Sequence, residues 1–238
     1  MLTLALETSS ETISLALATA ADRIHLIQTR TLPHAQAEQL FPALDALFRL
    51  AEQTPRNVQR IVVVTGPGSY TGLRNGLTVA RTLAQLNNIP IMGVPTLTVL
   101  LARTQGCGLI SPWLDIRRGE VYTGLVKKHW SRSQGLVLEV LAPPGIRSAD
   151  AWIAELAARD EPITVVGEGN EAWRERLYEQ SQWLEPLAAN HLAAAGGTLA
   201  LLAYHPEAAG TPLTWSDYRE VMPLYPDRPV AKERSEAK

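Results

Sequence analysis

The sequence predicts an α/β protein made of two halves with the same order of elements, each with a mixed sheet and helices. Three observations predict it. Apolar residues alternate at Leu2, Leu4 and Leu6 and again at Ile13, Leu15 and Leu17; the apolar period then becomes helical; and the same progression returns from Leu109 onward. Two β-β-β-α-β-α halves in one chain are what a duplicated ribonuclease-H-like fold produces. The expected division is residues 1–100 and 101–238.

In the first half, the polar stretch Thr8-Ser9-Ser10-Glu11 turns one strand into the next as a hairpin, and Arg23 to Arg30 supplies a third strand. Leu40, Phe41, Leu44, Leu47, Phe48 and Ala51 share one helical stripe, with Pro42 starting or kinking that helix. Ile61 to Thr65 reads as a strand buried on both faces. It enters Gly66-Pro67-Gly68-Ser69-Tyr70-Thr71-Gly72, followed by a helix with Leu73, Leu77, Ala80, Leu83 (or Ala84) and Leu86 at helical spacing, then a strand from Ile89 to Val94.

In the second half, Leu109 to Asp115 and Glu120 to Lys127 are strands around a turn at Arg117-Arg118-Gly119. Leu136 to Leu141 is a third, ended by Pro143-Pro144-Gly145. Ser148 caps a helix through Arg159, with Asp150 near its positive end. Ile163 to Val166 enters Gly167-Glu168-Gly169, and helices at about 171–180 and 188–204 close the unit, the latter with Gly196-Gly197 as a point of close helix packing or, alternatively, an adenine-contacting turn. Glu7 and Asp115 each end the first strand of their half and are expected to face one another across a cleft.

Composition excludes several functions. Of 238 residues, 46% are hydrophobic and 19% charged, which rules out disorder as the main state. Twenty-two Lys and Arg against 24 Asp and Glu leave a formal charge of −2, so no whole-molecule field grips phosphate or stand-alone nucleic acid. The single cysteine, Cys107, allows neither an intrachain disulfide nor a CxxC metal site. Glu7 interrupts the opening apolar run, and no apolar stretch reaches the roughly 18 residues of a span. The expected location is cytoplasmic, without a membrane contact.

The Gly66–Gly72 loop is the most informative stretch. A Gly-rich turn between strand and helix aims N–H groups at one point, as anion sites do. Yet no Lys follows to make a phosphate loop, Thr71 stands where a dinucleotide fingerprint needs Gly, and Ser69 is not in a GxSxG elbow. A non-standard nucleotide contact, a turn for helix–helix contact and simple tight packing remain open. For the nucleotide reading the candidates are Thr8, Ser9, Ser10, Gly66, Gly68 and Ser69. Gly72, Gly76 and Ala80 recur every four residues and make one strip of the helix shallow enough for another helix to approach; Arg74 and Arg81, seven apart, frame the same surface. No HxxxH or HExxH pair exists among the five histidines, and Ser69 has no identifiable His and Asp partners. No residue is assigned as catalytic or metal-binding.

At Gly66-Pro67-Gly68-Ser69-Tyr70-Thr71-Gly72-Leu73-Arg74 the sequence resembles the bacterial TsaB (YeaZ-type) family. Leu4 to Ser10, His34 to Pro42, Gly93-Val94-Pro95-Thr96-Leu97 and Asp115-Ile116-Arg117-Arg118-Gly119-Glu120-Val121-Tyr122 resemble it too, so the likeness covers residues 1 to about 125. It implies a two-domain actin/Hsp70/sugar-kinase-like fold with no activity alone. It implies pairing with a TsaD-type catalytic subunit, which carries the metal, and with a TsaE-type ATPase. Together these threonylcarbamoylate the adenosine beside the anticodon of tRNAs reading ANN codons. The pairing surface so implied lies on the two N-terminal helices, at His34, Leu40, Leu44, Gly72, Leu73, Arg74, Gly76, Leu77, Ala80 and Arg81. No cofactor of its own is expected, with ATP or ADP at the subunit interface, tRNA met only through the assembly, and a homodimer formed when alone. The alternatives are an independent ATPase or phosphotransferase using Glu7 and the Gly66 loop, and a peptidase acting on the partner. Glu7 stands where many relatives have Asp, Asn75 replaces a commonly aliphatic residue, and Pro223 to Arg228 only partly follows the family's ending.

Overall fold

A computed structural model of the chain describes residues 1–30, 36–131, 135–168, 171–186 and 195–226. In the first sheet β1 (Thr3–Glu7), β2 (Thr12–Ala20) and β3 (Arg23–Arg30) run antiparallel in succession, and β4 (Arg60–Gly66) and β5 (Ile91–Pro95) extend it in parallel, in the order β3-β2-β1-β4-β5. In the second, β6 (Gly108–Asp115), β7 (Glu120–Ser131) and β8 (Gly135–Ser148) are antiparallel, and β9 (Ile163–Glu168) and β10 (Leu184–Pro186) parallel, in the order β10-β9-β6-β7-β8. Read backwards, the second order is the first with each strand advanced by five. Helices α1 (Gln36–Leu50), α2 (Tyr70–Asn87) and α3 (Thr96–Arg103) follow β3, β4 and β5; α4 (Ala149–Ala157), α5 (Glu171–Gln180) and α6 (Ala195–Tyr204) follow β8, β9 and β10. The duplication predicted from the sequence is therefore present.

Strand alternation sorts the core into layers. Leu4, Leu6, Ile13, Leu15, Ile61 and Val63 face Leu40, Leu44 and Leu47 of α1 and Leu77, Ala80 and Ala84 of α2. The opposite side of the same strands, with Ala5, Ala16, Ala18, Val62 and Val64, meets Leu97 and Leu100 of α3 and Leu199, Ala200 and Ala203 of α6. Leu114 and Tyr122 of the second sheet join this cluster, so α3 and α6 form a layer shared by the two halves. The alanines let α6 come close. Gly196 donates its N–H to Ser14 Oγ at 3.0 Å, and a Cβ there would lie 2.7 Å from the Ser14 carbonyl oxygen, which accounts for glycine at that place.

The structure departs from expectation in several places. Helix α1 begins at Gln36, ahead of Pro42, which sits exposed inside it. Strand β8 continues through Pro143 and Pro144 to Ser148; it is an edge strand, where a residue without an N–H is tolerated. Helix α3 and strand β10 are additions, each too short for periodicity to declare. Ser148 does cap α4, accepting from the Ala151 N–H at 3.5 Å. The division near residue 100 separates the two sheets but not the packing. Helix α6 rests on the first sheet, and the chain beyond it returns there: Ser216 pairs with Ile91, Val221 enters the α1–α2 core, and Leu224 donates its N–H to the Thr65 carbonyl at 2.7 Å.

Candidate functional site

The first hairpin turn and the Gly66–Gly72 loop are brought together, as their joint candidacy requires, but they fit one another. Ser69 donates its N–H to the Ser9 carbonyl at 2.6 Å, and Thr8 Oγ1 donates to the Gly72 carbonyl at 2.8 Å. Ser69 Oγ caps α2 by accepting from the Gly72 N–H at 3.2 Å, and Thr96 Oγ1 donates to the Pro67 carbonyl at 2.8 Å. A Cβ on Gly68 would overlap the Ser9 carbonyl, and one on Gly76 the Thr8 hydroxyl. Ser9 donates its N–H to Glu7 Oε1 at 2.5 Å, and Ser10 Oγ accepts from the Thr12 N–H at 3.1 Å. Thr8, Ser9 and Ser10 are all buried. Through Thr8, Ser9, Gly68, Ser69 and Gly72 the turn and the loop are bonded and packed against each other, while Gly66 lies against Leu73 and Leu224. Ser9 Oγ is buried without a hydrogen-bond partner among the described residues.

The two helices that carry the expected pairing surface lie side by side on one face of the first sheet. Their predicted interface residues divide. Leu40, Leu44, Gly72, Leu73, Gly76, Leu77 and Ala80 are all buried within this chain, and the strip of small residues points at the β1–β2 turn rather than outward. That corrects the sequence reading. Gly72 and Gly76 neighbour Leu73 and Leu77 on the helix, and the phase they share with this core stripe was the signal available. Arg74 is exposed and Arg81 half-buried. His34 lies outside the described residues.

What the outer side does present is aromatic and basic. Phe41 of α1 is 66% exposed and Tyr70 of α2 is 59% exposed. The Arg74 guanidinium lies 5.3 Å from the Tyr70 ring centre and donates to its hydroxyl at 3.3 Å. The returning tail adds to the same side: the Tyr225 ring lies 5.4 Å from that of Tyr70, and Arg81 donates to Met222 Sδ at 3.6 Å. The sequence places Phe41 on the stripe of Leu40, Leu44, Leu47 and Phe48, but those four are buried and Phe41 turns outward. Tyr70, Met222 and Tyr225 were missed as surface residues, and only the fold brings the last two there.

In the second half, Asp115 ends β6 as Glu7 ends β1, but the first is exposed and the second buried. Asp115 Oδ1 accepts the Arg117 N–H at 2.7 Å. Arg117, Arg118 and Gly119 have φ of 74°, 60° and 76°, a run of three left-handed residues. For L-residues other than glycine that conformation costs about 1–2 kcal/mol each. Deeper inside, the buried Lys128 ammonium donates to the Leu101 and Thr104 carbonyls at 3.1 and 2.5 Å, closing the C-terminal end of α3. Burial pushes Lys128 below the usual lysine range, and Cys107 offsets part of that. Among the described residues no group of three or more His, Cys, Asp or Glu could hold a metal ion, and no helix is long and apolar enough to cross a membrane.

The fold and its packing define a class: a duplicated ribonuclease-H-like α/β protein with two mixed five-stranded sheets. Residues 31–145 match the family model of TsaD, tRNA N6-adenosine threonylcarbamoyltransferase. The chain is 37% identical over 168 residues to the tRNA threonylcarbamoyladenosine biosynthesis protein TsaB of Bacillus subtilis (strain 168), covering 70% of this chain and 71% of that protein. It is 28% identical over 122 residues to the protein of the same name from Escherichia coli (strain K12), covering 50% and 52%. The solved structure of YeaZ from Pseudomonas aeruginosa shares the fold with a TM-score of 0.70 at 24% identity, over 94% of this chain and 99% of that one. The chain belongs to the TsaB family.

Proposed function

We propose that this chain is the pairing and activating subunit of an assembly that makes threonylcarbamoyladenosine in tRNA, with the chemistry performed on a TsaD-type partner and a TsaE-type ATPase completing the set. The observation that carries the reading is the 37% identity, over most of both chains, to a protein named for that biosynthesis. The outer side of α1 and α2 supports it. Phe41, Tyr70, Arg74, Met222 and Tyr225 are of the types enriched at interface cores, and the buried residues beneath them hold that side rigid. Residual self-pairing of free chains uses the same side, because an apolar face without its partner tends to find a copy.

The part this chain plays is positional. Its turn and glycine loop consume each other's donors, so ATP or ADP at the subunit boundary is gripped chiefly by the partner. tRNA is met by the assembly and not by the chain alone, whose net charge is −2. Reconstitution tests the reading: purified chain, catalytic partner, ATPase, threonylcarbamoyl-adenylate and tRNA, with the chain present or left out. Modification is expected only when the chain is present together with the partner. Equal modification without it, or full transfer by this chain alone, overturns the proposal.

A further inference from the structure

We propose that Arg117 and Arg118 form a phosphate-binding pair, presented by the β6–β7 turn to the phosphate of an RNA backbone or of a nucleotide. The first ground is backbone cost. The turn holds three successive residues at positive φ, and only Gly119 adopts that conformation freely; Gly, Asn or Asp would suit the other two places better than Arg. A costly conformation retained at two adjacent arginines points to a use for those side chains.

The second ground is that the turn is held from both sides by main-chain bonds. Asp115 Oδ1 accepts from Arg117, the Glu120 N–H donates to the Arg117 carbonyl at 3.1 Å, and Ile116 donates to the Glu120 carbonyl at 3.1 Å. The Gly119 carbonyl accepts from Ala149, the first residue of α4, at 2.9 Å. None of these uses a guanidinium.

The third ground is that both side chains are exposed and neither makes an ion pair or hydrogen bond among the described residues, although Asp115 and Glu120 flank them. Arg60, Arg103 and Arg147, by contrast, have work inside the chain: Arg60 lies over Tyr204 and Trp215 and donates to Thr3, Arg103 donates to Thr198, and Arg147 lies over Trp152. Exposed Arg23 and Arg56 share the lack of a partner among the described residues but sit on no such left-handed turn. Two planar forks without an internal partner, on adjacent residues of a fixed turn, are groups that bind phosphate oxygens in pairs of hydrogen bonds. In a chain with no net positive charge, such a grip has to be local. The equivalent turn of the first half, Thr8–Ser10, is buried and internally bonded, so the two halves have divided the roles of packing and exposure.

The choice of RNA as one probe rests on the function proposed above; the site itself does not. The test uses the full chain assembled with its catalytic partner, in wild-type form and with Arg117→Asn and Arg118→Asn combined. Asparagine accepts left-handed backbone, so this variant keeps the turn; Arg117→Lys with Arg118→Lys keeps the charge, and Arg56→Asn on another exposed turn controls for general charge loss. Binding of unmodified tRNA and of ADP is measured across a salt series beside the melting temperature. The double asparagine variant is expected to melt no lower than wild type and to bind tRNA about tenfold more weakly, with the salt slope reduced by about 1 per arginine. The lysine variant recovers part of the loss, and Arg56→Asn shows none. A loss confined to ADP assigns the phosphate to a nucleotide. Unchanged affinity for both probes overturns the proposal, as does a lowered melting temperature, which would give the arginines a structural role. Failure of wild-type assembly to modify tRNA would strike the function proposed earlier and leave this binding comparison readable.

Discussion

The Thr8 hydroxyl occupies the space that a side chain on Gly76 would need, while it donates to the Gly72 carbonyl one helical turn earlier. The first hairpin turn is thus locked to α2 through two glycines. Gly76→Ala is expected to destabilise the chain by about 1–3 kcal/mol through overpacking against Thr8. Thr8→Ala in the same chain should return part of that loss, since it vacates the space. Urea denaturation of both single variants and the double variant checks this; strictly additive losses would show that the two residues do not share the joint.

Buried and exposed residues of α1 and α2 should behave in opposite ways. Leu77→Ala removes a core side chain and is expected to cost about 2–5 kcal/mol of folding stability. Phe41→Ala and Arg74→Glu lie on the outside and should leave the melting temperature almost unchanged while abolishing co-elution with the catalytic partner. Size-exclusion runs beside thermal melts separate the two, and a folded Phe41→Ala, Arg74→Glu chain that still pairs would move the interface elsewhere.

Lys128 gives a pH prediction with a definite sign. Burial lowers its pKa in the folded chain, so the unfolded chain binds the proton more tightly. The resulting penalty on folding is fully present below the depressed folded value and disappears as pH rises from there to 10.5, the ordinary lysine value. Lys128→Met leaves the Leu101 and Thr104 carbonyls without their donor and should cost about 1–3 kcal/mol at neutral pH. Its deficit relative to wild type should widen toward pH 10, as followed by denaturant unfolding at several pH values; a narrowing deficit would reverse the assignment.

The returning tail is tied to the glycine loop at Gly66, whose φ is 109° and whose added Cβ would sit 2.8 Å from Leu73 Cδ1 and 2.9 Å from the Leu224 carbonyl oxygen. Gly66→Ala is expected to cost about 1–3 kcal/mol and to loosen the tail. Chymotrypsin cutting after Leu224, at the bond to Tyr225, should then accelerate while cutting at the buried Tyr122 does not.

Much of this was legible in the residues. Alternation in Leu2–Leu6 and Ile13–Leu17, helical stripes after each sheet, and the turn chemistry at Ser148 and Arg117-Arg118-Gly119 specify local structure directly, because side-chain period follows backbone geometry. They also sufficed to show the duplication, since Glu7 and Asp115 close corresponding strands. The loop and turn candidates Thr8, Ser9, Ser10, Gly66, Gly68 and Ser69 do share one place. Their use was not legible: hydroxyls and glycines in a turn look alike whether they meet a phosphate or each other.

The sequence by itself determined the longer elements, their order and the family, because each of these is written in spacing along the chain, whereas α3 and β10 are too short for a period to declare them. Tertiary structure decided direction. It turned Gly72, Gly76 and Ala80 inward onto Thr8, carried α6 and the tail across to the first sheet, and left Arg117 and Arg118 facing solvent. A stripe of small residues states how closely something approaches and not what approaches. That depends on contacts between residues such as Thr8 and Gly76, or Thr65 and Leu224, which lie far apart in the chain and are joined only by the folding of the first sheet and the return of the tail to it.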